Sequence, residues 1–569
     1  MLRRLLAQLR HRPQADPHVA RLLQEAANER LAARPEQALL RLAALAALAP
    51  SAFPVHNELG LTYRALGRAE DAESAFSEAA RLAPEDAAAF VYLGNLAHER
   101  DALDDAVRHY QRAVKIAPDN PGIRYNLALT YLARGEADAA VAEFRRVLER
   151  DPAHGDARSS LLFALTFCHG LPPGEVEREH RDWADRFAEP LPRRQSFAND
   201  PDPERLLRVG YVSADFFGHV AAPFIQPLLV HADPAHFQVF CYSNSNQPGP
   251  QGDPATAVTW REIAHLDDEA AAARIEEDAI DLLVDLSGHT RGNRLLVFAR
   301  KPAPVQITYL GYPNTTGMSA MDYRITDHFA DPPGPGDARY RERLLRLPHS
   351  LWCFQPPGAA AAVPAPRAAG GITFGSMNNI VKLQPPLIEL WARILREVPD
   401  SRLVLATIPA GSARQRLLDV FAAHGVAAAR VTFYNRLPQE RFRALHREID
   451  VALDAFPCNG GGTTCESLWL GVPVLTLCGE IFQSRAGLSL LSAVGMRECI
   501  AASGDEYVAR ALALARDPEK LQRMRAALPA QFARSPLVDG AGFVRNLEAA
   551  YRQVWRAWCT AREAARARC

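Results

Sequence analysis

The chain has 569 residues, enough for about three to four domains at ~150 residues each. Hydrophobic residues make up 48% and charged residues 23%, so there is apolar material for more than one core, and a formal net charge of −1 offers no basic surface for nucleic acid. The nine cysteines form no Cys-x-x-Cys pair and are odd in number, which argues against a disulfide framework or zinc ribbon and for a reducing compartment. Arg10 and Arg12 interrupt any apolar run behind Met1-Leu2-Arg3-Arg4, and no stretch reaches the ~18–20 apolar residues of a membrane span. A cytoplasmic protein without a membrane partner is expected.

The first predicted elements are repeats. Pro50, Pro84, Pro118 and Pro152 stand 34 residues apart, and the other landmarks keep that phase. Gly60, Gly94 and Ala128 come ten after the first three prolines. Gly67, Asp101 and Gly135 come seventeen after, then Ala72, Ala106 and Ala140, then Phe76, Tyr110 and Phe144. This pattern predicts helix–turn–helix units. The small residue in the first helix admits its partner, the Gly or Asp turns the chain, and the proline breaks the helix before it. A general alanine-rich bundle would need no such phase. The pattern resembles the tetratricopeptide repeat, with a degenerate unit over about 17–50 and a further half-repeat starting at Asp156. Stacked repeats build a concave surface for a peptide or protein partner.

From about residue 205 short apolar runs alternate with helical segments, the texture of α/β. Predicted strands are 207–212, 237–242, 280–285 and 305–309, then 372–374, 402–405, 431–434, 451–453 and 474–477. The Pro-, Gly- and Ala-rich segment 356–371 reads as a linker. Two Rossmann-like lobes around a hinge follow, with a ligand cleft beyond the carboxyl ends of the strands. The expected boundaries are 1–195 for repeats and a helical linker, 196–360 and 361–540 for the lobes, and 541–569 for an amphipathic helix packing across the lobes.

Three segments carry chemistry. Asp454-Ala-Phe-Pro-Cys458-Asn-Gly460-Gly461-Gly462-Thr463-Thr464-Cys-Glu466 reads as a strand end, a glycine loop and a helix beginning near Thr463. Exposed N–H groups at a helix N-terminus attract phosphate, and glycines let it approach. Thr463 and Thr464 can cap the helix or donate to phosphate, and Glu466 can bind ribose hydroxyls. The loop lacks the Gly-Lys-[Ser/Thr] ending of a Walker motif, and a plain strand–turn–helix connection fits equally well. Lys382, between a strand end and a helix start, can neutralise a departing phosphate; the competing reading is a solvated surface lysine. His219, just past the first strand, can act as general base or position a hydroxyl, or be merely structural. Ser287–Thr290 and Gly311–Gly317 line the same cleft or are simply turns. No cluster has metal-ligand spacing, and Asp200-Pro-Asp202 lies in a linker, so no metal is expected.

These segments in this order resemble the O-GlcNAc transferase family, including its SPINDLY branch. GYVSADF, DLSGHT, GYPNTTGMSAMDYRITD, FGSMNNIVK and DAFPCNGGGTTCESLWLGVP carry the match, the last two closest to SPINDLY; Phe482-Gln-Ser-Arg485 looks more like the O-GlcNAc branch. The resemblance implies a GT-B fold behind an α-solenoid and inverting transfer from a nucleotide sugar to protein Ser/Thr. It implies His219 as base or acceptor-positioning residue and Lys382 as the diphosphate contact. It also implies Asn379 as a donor-contacting amide, Gly461, Gly462 and Thr463 as phosphate contacts, and Glu466 as the ribose carboxylate. Cys458 and Pro313 match positions near the sugar. Leu437–Phe442 matches the base-binding segment, with Phe442 where animal enzymes have histidine. UDP-GlcNAc is the expected donor, with no cofactor, and the repeats are expected to engage the protein acceptor. The alternatives are a GDP-fucose-dependent protein O-fucosyltransferase and a repeat scaffold with a nucleotide-binding α/β region.

Overall fold

The 34-residue phase becomes a stack of antiparallel helix pairs in the computed structural model, which describes residues 17–172, 174–245, 258–358 and 371–566. The chain divides into two compact units, Met1–His154 with Pro409–Ser412, and Gly155–Ile408 with Ala413–Cys569. In the first, the pairs are α1 Pro17–Leu31 with α2 Pro35–Leu48, α3 Phe53–Ala65 with α4 Ala69–Leu82, α5 Ala87–Glu99 with α6 Leu103–Ile116, and α7 Pro121–Ala133 with α8 Ala137–Arg150. The pair over 17–48 is the expected degenerate unit.

The landmark residues do what their sizes predict. A Cβ on Gly60 would lie 2.3 Å from the Phe76 ring, and one on Gly94 would lie 2.7 Å from Tyr110. Ala72, Ala106 and Ala140 are fully buried where paired helices touch. Gly67, Asp101 and Gly135 take left-handed φ of 72°, 60° and 84°, which ends the first helix of each pair. Asp86 and Asn120 cap α5 and α7 by accepting from Ala88 N and Gly122 N.

The second unit opens with α9 Gly155–Leu165, at the expected half-repeat, and α10 Glu175–Trp183. Its first sheet is all parallel, in order β3-β2-β1-β4-β5-β6-β7. The strands are β1 Leu207–Ser213, β2 Phe237–Ser243, β3 Val258–Glu262, β4 Leu282–Asp285, β5 Val305–Thr308, β6 Tyr323–Asp327 and β7 Arg343–Leu347, with helices α11 Ala222–Val230, α12 Asp268–Glu277 and α13 Leu295–Ala299 between them. The second sheet is also parallel, in order β10-β9-β8-β11-β12-β13. It comprises β8 Thr373–Ser376, β9 Arg402–Leu405, β10 Val431–Phe433, β11 Val451–Leu453, β12 Val474–Leu477 and β13 Ile500–Ala501. Its helices are α14 Pro385–Glu397, α15 Ser412–Ala423, α16 Gln439–Leu445, α17 Gly462–Trp469, α18 Ala486–Val494, α19 Gly504–Arg516 and α20 Pro518–Ala533.

Each predicted strand is present, because strands buried on both faces read as apolar runs. Four strands were not predicted. β3 is a half-exposed edge, Val-Thr-Trp-Arg-Glu, and β13 has two residues. β6 is fully buried yet carries Arg324, Thr326 and Asp327, each held by hydrogen bonds to residues outside the strand. β7, Arg-Leu-Leu-Arg-Leu, carries arginine at its start and again after two leucines. The linker 356–371 lies mostly outside the described residues, as do Met1–Arg12 and Cys569.

The last helix, α21 Gly540–Arg566, buries Phe543, Leu547, Tyr551, Val554 and Trp555. Its side chains tie it to the first lobe. Trp555 Nε1 donates to Asp202 O at 3.0 Å, Arg562 donates to Phe197 O and Asn199 O, and Glu548 accepts from Asp233 N. The chain crosses from the second lobe before this helix begins, with Phe354 N donating to Leu537 O on the way.

The contact at Gly94 is testable by substitution. Gly→Ala in a helix interior ordinarily gains up to ~1 kcal/mol. Here the added methyl meets Tyr110, so Gly94→Ala is expected to cost about 1–3 kcal/mol of repeat stability. The unfolding midpoint of the repeat unit checks this, and Tyr110→Leu in the same chain should return part of the loss.

Candidate active site

The site is built at the carboxyl ends of the strands of both sheets. After β1, Ser213 Oγ accepts from Asp215 N at 2.9 Å, and Gly218 turns the chain with φ of 65°. His219 is half exposed, with Nδ1 accepting from Ala221 N at 3.3 Å and lying 3.6 Å from Asp215 Oδ2. The same loop lies against the glycine loop of the second lobe: a Cβ on Gly462 would be 3.8 Å from Phe224 and 3.9 Å from Val220 O.

The glycine loop hangs from a buried carboxylate. Asp454, just past β11, accepts from Ala455 N, from Gly460 N at 2.7 Å and from Thr476 Oγ1 at 2.7 Å. Burial raises its pKa to about 6, opposed by the Gly460 and Thr476 donors and then by the Lys382 charge. Asn459 is pinned by Nδ2 to Ala455 O and Leu477 O. Gly460 is a glycine because a Cβ there would sit 2.5 Å from Thr463 Oγ1. No side chain caps α17. Thr463 Oγ1 donates to Asn378 Oδ1 at 3.1 Å and Thr464 Oγ1 to Gly460 O at 3.2 Å, so both hydroxyls serve the loop and neither caps the helix. What remains for an anion is the main-chain N–H array of Gly462 and Thr463, positive by its place at a helix start. Trp352 closes one side, 3.9 Å from where a Gly461 Cβ would be.

Lys382 ends a 3₁₀ turn after β8, in which Asn379 Oδ1 accepts from Val381 N. Its Nζ donates to Asn459 O at 2.7 Å, which brings the ammonium to the base of the glycine loop. Cys458 is buried beside it; burial pushes the thiol up, and Lys382 pulls it down. Lys382 is therefore a held cleft lysine and not a solvated surface one. Asn379 is exposed beside it.

On α17 the Glu466 carboxyl is buried and raised by desolvation, opposed by Arg443. Its Oε1 accepts from Gln439 Nε2 at 3.0 Å and Arg443 Nε at 3.2 Å, both on α16. Leu437 and Phe442 flank these donors, half-buried against the main core, with Phe442 edge-on to His446 at 5.8 Å. Leu437, Phe442 and Glu466 are thus joined in one patch through Gln439 and Arg443.

The loops after β4 and β5 are mainly braces. Asp285 accepts from Ser287 N, Gly288 N and Thr308 Oγ1. Glu342 accepts from Thr315 Oγ1 and Thr316 N, and Arg324 donates to Asn314 O and Tyr312 O. Tyr312 is buried, its hydroxyl 2.7 Å from His180 Nε2. Pro313 follows it, half-buried. Sequence reasoning did not single out Asp215, Asn378, Gln439 or Arg443. A carboxylate four residues before a histidine was the available signal for Asp215, whereas Asn378, 85 residues upstream of Thr463, carries no local signal. Among the described residues no three His, Cys, Asp or Glu side chains are grouped to hold a metal ion.

Comparison with known proteins agrees with this geometry. The profile of Glycosyl transferase family 41 matches residues 192–355 and 365–547, and two Tetratricopeptide repeat profiles match 57–121 and 97–162. A Petunia hybrida protein named "Probable UDP-N-acetylglucosamine--peptide N-acetylglucosaminyltransferase SPINDLY" is 40% identical over 424 residues, covering 72% of this chain and 45% of its own length. An Arabidopsis thaliana protein bearing the same name with SEC in place of SPINDLY is 32% identical over 371 residues, 63% of this chain and 38% of its own. The chain thus spans about half the length, or less, of these relatives. The structure of a Thermobaculum terrenum O-GlcNAc transferase mutant superposes with a TM-score of 0.82 at 34% identity, covering 90% of this chain and 99% of that one.

The raised Asp454 carboxyl has a pH signature. Its folded pKa of about 6 lies above the ordinary value of 3.8, so its contribution to stability is largest at low pH and falls as pH rises through 6. Asp454→Asn removes that dependence. Relative to wild type, the variant should gain about 1 kcal/mol between pH 5 and 7.5, read from denaturation midpoints at the two pH values. An unchanged difference would show that the carboxylate is not raised.

Proposed function

The chain belongs to glycosyl transferase family 41, and from that premise we propose that it moves N-acetylglucosamine from UDP-GlcNAc to serine and threonine hydroxyls of proteins, with inversion and without a metal ion. The observation that carries this reading is the Lys382–Asn459 bond, which sets an ammonium beside the uncapped start of α17. A nucleoside diphosphate laid there would meet the Gly462 and Thr463 N–H groups and Lys382, while its ribose would meet Glu466 and its base the Leu437–Phe442 segment. Pro313, Cys458 and Asn379 would border the sugar.

In the transfer, the acceptor oxygen attacks the anomeric carbon on the face opposite the diphosphate. The carbon–oxygen bond to the diphosphate breaks, and its electron pair leaves with the phosphate. Lys382 and the helix start supply the positive field for that charge. His219, on the opposing loop, receives or orients the acceptor hydroxyl. The repeats present the protein acceptor. The eight cysteines in the described residues are all free thiols, which fits a cytoplasmic setting, and no described helix is long and apolar enough to cross a membrane.

Calorimetric titration with UDP and with GDP tests the donor. UDP is expected to bind. GDP binding without UDP would move the donor to GDP-fucose, the reading that the SPINDLY-like FGSMNNIVK and glycine-loop segments favour, and binding of neither would overturn the transferase reading. With the donor in hand, Lys382→Ala should lower kcat by about 10²–10³-fold and change donor affinity little; a full rate in that variant would remove the lysine from its role.

A further inference from the structure

One ring nitrogen of His219 meets a donor and an acceptor at once. Gly218, in the left-handed region, folds the chain so that His219 returns over Asp215. Nδ1 then stands 3.3 Å from the Ala221 N–H and 3.6 Å from Asp215 Oδ2. A neutral imidazole carries a single N–H. While Ala221 N–H donates to Nδ1, the proton is on Nε2, and Nε2 can donate but cannot accept. With the proton on Nδ1 instead, the Ala221 contact is lost, the acceptor in reach is Asp215, and Nε2 presents a lone pair. The 3.6 Å separation is beyond a hydrogen bond, and a movement of about 0.5 Å closes it.

We propose that Asp215 is a positioning residue that selects the Nδ1–H tautomer of His219, so that Nε2 can take the proton of the acceptor hydroxyl. This rests on the transferase reading above. The carboxyl is mostly buried, which raises its pKa, and the neighbouring imidazole opposes that rise. In the step, the acceptor oxygen bonds to the anomeric carbon as the bond to the diphosphate breaks. The hydroxyl proton passes to Nε2, and the imidazolium so formed faces Asp215 until it returns the proton to water. The Ala221 N–H holds the other tautomer, in which Nε2–H orients the hydroxyl without accepting from it.

Long-range ¹H–¹⁵N correlation spectra of the full chain, with ¹⁵N-labelled histidine rings, read which nitrogen carries the proton. The His219 signals are assigned by their loss in His219→Gln, and spectra are taken free and with UDP. Wild type should show an Nδ1–H population that falls several-fold in Asp215→Asn and Asp215→Ala and is partly restored in Asp215→Glu. Under saturating donor, kcat of the first two should fall on the order of 10²-fold with donor KM nearly unchanged. A wild-type ring that is Nε2–H only in both states, a tautomer indifferent to both substitutions, or an unchanged kcat would overturn the assignment. If the wild type transfers no sugar, the transferase reading fails, and the tautomer spectra still decide the role of Asp215.

Discussion

Buried aspartates at the carboxyl ends of strands hold this catalytic region together. Asp285 ends β4, Asp327 ends β6 and Asp454 follows β11, and each is about 1% exposed. An isolated buried carboxylate is costly, so each must collect donors. Asp285 gathers the first turn of its loop and Thr308. Asp327 gathers Phe329 N, Ala330 N, Leu351 N and, from the second lobe, Ser489 Oγ at 2.5 Å. Asp454 gathers the glycine loop. In a parallel sheet the strands end together, so one residue type at one topological level fixes three of the cleft loops, while Ser213 and Asn379 serve the loops after β1 and β8.

The same device leaves a positive charge in hand. Asp454 lies within electrostatic reach of Lys382 but takes its hydrogen bonds from neutral donors. Lys382 in turn donates to a main-chain carbonyl and not to a carboxylate. An ammonium in a close ion pair would be largely neutralised before a diphosphate arrived. Held by Asn459 O, it is positioned without that loss. Glu466 is held differently, in an ion pair: Arg443 and Gln439 share Oε1 and, among the described residues, leave Oε2 without a protein donor.

How much of this the sequence announces depends on where the determining contacts lie. Gly60 with Phe76 and Gly94 with Tyr110 are sixteen residues apart in every copy, so local spacing reveals them. The doubly buried strands are visible for a similar reason, since β1, β2 and β12 need only apolar residues in a row. β6 is hidden because Arg324 and Asp327 are made tolerable by partners outside the strand: the Tyr312 and Asn314 carbonyls in the preceding loop, and Ser489, 162 residues on from Asp327. The glycine loop is legible as a phosphate-type turn from its local run of glycines and threonines, and Gly460 is required by the loop's own Thr463 and Thr464. That Thr463 and Thr464 are used up in bracing it is not legible, because Asn378 lies 85 residues upstream. Arg443 and Gln439 escape notice for the same reason.

The two lobes share one apolar core. One apolar cluster runs from Tyr211 and Ile307 in the first sheet to Val474 and Leu490 in the second, and on to Phe543 and Trp555 of α21. Arg485 donates to Phe329 O at 2.9 Å and Arg339 to Glu480 O at 3.1 Å. A hinge between freely moving lobes would expose this cluster on every opening, at roughly 25 cal/mol per Å² of apolar surface. With this cluster shared, the ordering cost of binding a ligand would fall on the ligand and on short exposed loops such as 218–220. Gly218, His219 and Val220 are exposed where Ser287, Gly288, His289 and residues 314–317 are buried, which leaves the least packed part of the site at His219.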